Sequence, residues 1–122
     1  MLAYRLTFGR GWSSLVAGGH VIAMQVRNHG DQPVDRVYYS DAGLELQDHV
    51  LGRVMRIGKT GSPQTVVWNP GEQGGNAIAH AKTGEWRGFV AVEAAACRDR
   101  IVALSPGESY VLSQSIAVMP LL

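Results

Sequence analysis

The chain has 122 residues, 46% of them hydrophobic, with 11 Lys and Arg against 10 Asp and Glu and a net charge of +1. That length fits a single domain spanning residues 1–122, and so even a charge gives no electrostatic ground for binding nucleic acid or an anionic membrane. No apolar run approaches the roughly 20 residues of a membrane-spanning helix, and the opening MLAYRLTFGR lacks the apolar core of a signal peptide.

In chain order the pattern is alternation broken by turn residues at short intervals, which predicts an all-β sandwich or barrel. Residues 2–8 alternate and stop at Gly9-Arg10-Gly11; residues 21–27 form a second expected strand, ended by Asn28-His29-Gly30-Asp31-Gln32-Pro33. Val37-Tyr38-Tyr39 is a short strand, and residues 44–47 and 53–57 flank a loop as a hairpin with one dry and one wet face. Thr65-Val66-Val67-Trp68 is apolar throughout, as a central strand is. Residues 71–75 read as a flexible loop and residues 77–82 as a helical turn or two. Strands follow at 89–94, 101–104 and, after Ser105-Pro106-Gly107-Glu108, at 110–118.

Generic motifs assign no chemistry. The four histidines, His20, His29, His49 and His80, are far apart and have no paired spacing, so no metal is expected. Gly71-Glu72-Gln73-Gly74-Gly75 lacks the Lys-Ser/Thr of a phosphate-cradling loop, and there is no nucleophile elbow. The single cysteine, Cys97, follows Ala94-Ala95-Ala96, excludes an internal disulfide and fits a small buried side chain in a reducing compartment, hence a cytoplasmic location. Glu93 alone is anomalous, a carboxylate inside the apolar run Val90-Ala91-Val92-Glu93-Ala94. Two accounts of it are open. Alternation could turn Glu93 to water, or it could lie at the floor of a cleft with a raised pKa, as a general base does.

Several blocks together carry a family resemblance. Asp35-Arg36-Val37-Tyr38, Gly52-Arg53 with Met55-Arg56-Ile57, and Lys59-Thr60-Gly61-Ser62-Pro63-Gln64-Thr65-Val66-Val67-Trp68-Asn69-Pro70 come first. Glu85-Trp86-Arg87, Phe89-Val90-Ala91-Val92-Glu93-Ala94-Ala95 and Leu104-Ser105-Pro106-Gly107-Glu108-Ser109 continue the series. In order and spacing they resemble the C-terminal part of glucose-6-phosphate 1-epimerases, the hexose-6-phosphate mutarotases of the galactose mutarotase-like superfamily. The likeness runs through residues 35–118, while residues 1–34 resemble the strand pair that precedes the family's catalytic histidine segment.

The resemblance implies an antiparallel β-sandwich, reduced in strand number, and a sugar or sugar phosphate as ligand without a cofactor. Family mutarotation uses a glutamate that takes the anomeric hydroxyl proton and a histidine that protonates the ring oxygen. Glu93 matches the glutamate, and Asp35 matches a substrate-contacting aspartate. Trp68 and Asn69 complete the expected binding set. The histidine segment has no counterpart, since Val34 runs directly into Asp35, and the phosphate-holding arginines belong to family sequence absent from this chain. Gly71 and Ala96 also replace the family's usual Trp and Asn.

Among the histidines His29 lies closest to the lost segment; Arg36, Arg53 and Arg56 read as exposed strand arginines rather than a phosphate grip. Three functional readings follow: a degenerate sugar binder, an active epimerase with a replacement acid, and a non-catalytic oligomerising sandwich. Strand edges left open by the missing segments imply a homodimer.

Overall fold

Alternation along each strand sorts the side chains into two layers, and the computed structural model of the chain shows which layer is which. It describes residues 2–7, 13–17, 20–21, 33–48 and 51–122, the first three stretches as backbone strands. Among the described residues there are nine strands: β1 (Leu2–Thr7), β2 (Ser13–Ala17), β3 (His20–Val21), β4 (Val34–Tyr39), β5 (Leu44–Asp48), β6 (Arg53–Thr60), β7 (Gln64–Asn69), β8 (Phe89–Ala95) and β9 (Ser113–Pro120). They form a four-stranded sheet in the order β1-β8-β7-β4 and a five-stranded sheet in the order β3-β2-β5-β6-β9. Every pairing is antiparallel.

The core lies between the sheets. Val34, Val67, Val90 and Val92 of the first sheet meet Leu44, Leu46, Met55 and Ile57 of the second, with Tyr38 and Ile116 packed at the margin. The chain is therefore an antiparallel β-sandwich, as expected.

Three side chains fasten the layers together. Lys59 Nζ donates to Ser40 O at 2.8 Å, Gln64 O at 3.0 Å and Thr65 Oγ1 at 2.8 Å, and burial holds its pKa below the ordinary lysine value. Gln114 of β9 reaches β8, accepting from Ala94 N at 3.0 Å and donating to Val92 O at 3.2 Å. Ser62 Oγ, in the turn between β6 and β7, donates to Gln64 O at 2.7 Å and accepts from Ala95 N at 2.9 Å.

Several sequence expectations need correction. The only α-helix among the described residues, α1 (Gly71–Asn76), occupies the stretch expected to be a flexible loop, and residues 77–82 form no helix. Tertiary contacts impose that helix. The Asn69 side chain accepts from Gly71 N at 3.0 Å, and Trp86 packs so closely on Gly75 that a Cβ there would lie 2.4 Å from the Trp86 Cβ. Residues 101–104 form no strand: the segment from 101 to 111 has no ladder partner and is exposed throughout. Cys97 is half-buried rather than buried, and its N–H donates to Gln64 Oε1 at 2.8 Å. The strand expected at 21–27 lies mostly outside the described residues, whereas β2 was not foreseen.

Candidate functional site

The outer face of the four-stranded sheet follows from register alone. Asp35 stands opposite Trp68 and Trp68 opposite Ala91; in the next same-face row Val37 stands opposite Val66 and Val66 opposite Glu93. Cross-strand partners share a face, so Asp35, Trp68 and Glu93 all project from the side away from the core. Ala3 of β1 continues the Glu93 row on the backbone.

The floor between them is dry. Val66 and Ala91 are buried, and Trp68 is backed by the buried Phe89 at a ring separation of 6.1 Å. Glu93 is half-buried on this apolar ground. Loss of water pushes its pKa above the ordinary carboxylate value, and the nearby negative charge of Asp35 pushes it further in the same direction. Among the described residues neither carboxylate has a hydrogen-bond or ion-pair partner. Such a carboxylate is poised to accept a proton, and Trp68 supplies an apolar plate beside it.

Asn69 does not join this face. Adjacent strand residues point to opposite sides, and Asn69 is buried, donating through Nδ2 to Trp86 O at 2.8 Å and Phe89 O at 2.7 Å. It ties α1 and the turn at Glu85–Gly88 to the end of β7 and touches nothing on the carboxylate face directly. The arginines separate as well. Arg53 and Arg56 stand on the five-stranded sheet, paired with Asp48 at 3.1 Å and Glu45 at 2.8 Å, while Arg36 is exposed on β4. His80 is exposed in a turn with φ of 71°; His29 and His49 lie outside the described residues, as does the side chain of His20.

One cluster on the same face escaped the sequence reading. Tyr39, two residues beyond Val37, stands opposite Gln64, and its hydroxyl donates to Asp99 Oδ1 at 2.8 Å. That bond raises the Tyr39 pKa. The Arg100 guanidinium lies 5.9 Å from the Tyr39 ring centre. The usable signal was the doublet Tyr38-Tyr39, whose members must face opposite layers of the sandwich. Away from this face, a cavity of about 370 Å³ is lined by Asp41, Lys59, Gly61, Ser62 and Tyr110 among others. Lys59 has its three protons committed there to protein acceptors.

The sandwich and its carboxylate-bearing outer face define a class. The sequence model of the aldose 1-epimerase family matches residues 16–117, and the chain belongs to that family. It is 28% identical over 91 residues to a protein of Cenchrus ciliaris described as "Putative glucose-6-phosphate 1-epimerase", a match that covers 74% of this chain and 27% of that relative. The chain thus spans about a quarter of that relative's length. No solved structure matches it.

Proposed function

We propose that this protein binds a sugar or sugar phosphate on the outer face of its four-stranded sheet and is a degenerate relative of the epimerases, without full epimerase activity. The observation that carries the reading is the placement of Asp35, Trp68 and Glu93 on one face, with Glu93 half-buried and its pKa raised. In the family's chemistry a base removes the proton from the anomeric hydroxyl while an acid protonates the ring oxygen. The bond between C1 and the ring oxygen breaks, and the aldehyde recloses on either face. Glu93 suits the first role. A positioned acid contributes about 10²–10⁴-fold in rate, and no residue on the described face stands ready to supply it.

Exchange of glucose 6-phosphate anomers followed by NMR tests this, with Glu93→Gln as control. The expected result is saturable binding without acceleration of exchange. Acceleration abolished by Glu93→Gln would instead establish the second reading, an active epimerase with Glu93 as base and a replacement acid, which the raised Glu93 pKa favours. No response to any hexose or hexose phosphate would leave the third reading, a non-catalytic sandwich used for association. We propose further that residues 1–122 form one domain and that the protein works as a homodimer in the cytoplasm, the single cysteine fitting that compartment.

A further inference from the structure

The five-stranded sheet ends at β9, whose inner side is paired with β6 along its whole length, from Ser113 opposite Thr60 to Pro120 opposite Arg53. The other side of β9 has no partner strand among the described residues. An open edge presents free N–H and C=O groups to any extended chain, and folded proteins ordinarily guard such edges with charges, bulges or prolines. β9 reads Ser-Gln-Ser-Ile-Ala-Val-Met-Pro, with no charged residue and a proline only at its last position. The edge of the other sheet at β4 contrasts with it, carrying the exposed charges Asp35 and Arg36.

The side chains around β9 add an apolar demand to the backbone one. Val118 belongs to the inner row, opposite the buried Met55, yet is 59% exposed, and no strand among the described residues extends the sheet past it. The strap of residues 101–111 that leads into β9 is exposed over its length, with Ile101 69% and Val111 75% exposed. It is pinned to the body where Tyr110 Oη donates to Gly61 O at 2.6 Å. Val111 lies two residues before β9 begins, so the apolar strap and the open edge form one continuous surface.

We infer that β9 pairs with β9 of a second copy of this chain, antiparallel about a two-fold axis, so that two five-stranded sheets join into one continuous sheet. A second copy fits this edge for two reasons. A two-fold axis presents the strand to itself in the antiparallel direction, and the absence of charge means that no like charges meet across it. A pairing centred on Ala117 keeps Gln114 to Pro120 in register and sets Ile116 opposite Val118, so both inner rows stay on one side of the joined sheet. A specific interface needs about 1,000 Å² of buried surface, so the ladder must be joined by the exposed strap residues beside it. The inference specifies the homodimer proposed above and is independent of the sugar-binding reading.

Sedimentation of the full chain at micromolar concentration tests it without any ligand. The expected species has twice the 13.1 kDa chain mass. Ala117 is exposed, so Ala117→Lys should leave the fold intact by circular dichroism, and it places two lysines together at the axis. It should weaken the dimer at least tenfold. Arg36→Glu, at the β4 edge, should not change it. A wild-type monomer, an open-ended series of larger species, or a dimer broken by Arg36→Glu and untouched by Ala117→Lys would each overturn the inference.

Discussion

Each sheet of this sandwich carries two carboxylates on its strands, and the two sheets treat them differently. On the five-stranded sheet Asp48 and Glu45 are matched by Arg53 and Arg56 on the neighbouring strand, and the fully buried Asp48 also accepts from Leu51 N at 3.1 Å. On the four-stranded sheet Asp35 and Glu93 stand on an apolar floor with no ion-pair partner among the described residues, and loss of water and the charge of Asp35 raise the Glu93 pKa. Charges that hold a fold together come with partners. Carboxylates kept half-buried at a cost in hydration are candidates for a functional site.

The largest effect that sharpens this contrast is expected at Arg53. Arg53→Ala strips the buried Asp48 of its cation and should cost about 2 kcal/mol in urea unfolding; an unchanged midpoint would remove Asp48 from the structural class. Lys59→Met should cost a similar amount, about 2 kcal/mol, because acceptors on β7 and in the β4–β5 loop lose their donor. Arg56→Ala should matter far less, at most about 0.5 kcal/mol, since the pair with Glu45 is open to water.

The smallest effect has the opposite sign. Glu93 has a folded-state pKa above its unfolded value, so its protonated form favours the fold. That contribution is full below the unfolded pKa and is lost as pH rises through the folded one. Glu93→Gln should therefore raise stability at neutral pH relative to the wild type, with the difference fading in acid. Thermal melts at pH 7 and pH 4 would break the contrast if the variant were the less stable protein at neutral pH.

Much of the fold was legible because the pattern and the packing agree. The hairpin of β5 and β6 alternates dry and wet as its register demands, and the mostly apolar runs of β7 and β8 mark the interior strands of their sheet. Ile101-Val102-Ala103-Leu104 misled, because an apolar run has strand character only where a partner offers a ladder. The helix at Gly71–Asn76 could not be read from a segment with three glycines, since Asn69 and Trp86 impose it from outside.

The candidate site was legible in part. Glu93 stood out as a carboxylate in an apolar run, Asp35 came from the resemblance, and the register sets both on one face. Grouping Asn69 with Trp68 ignored the two-residue period, which already forbids neighbours on a strand from facing one ligand. Tyr39 and Asp99, 60 residues apart, meet only because the strand order brings β4 and the turn after β8 to the same end of the face.

The pairing of Leu2 with Ala94 has a consequence for how the chain is made. β1 is made well before its partner strand β8, with six other strands between them in the chain. At about 5–20 residues per second, β1 waits several seconds without a neighbour. The four-stranded sheet cannot close until β8 has been synthesised, whereas β5 and β6 can zip as soon as they emerge. Such distant pairing folds slowly, so β1 is expected to join the edge of the carboxylate sheet later than neighbouring hairpins form.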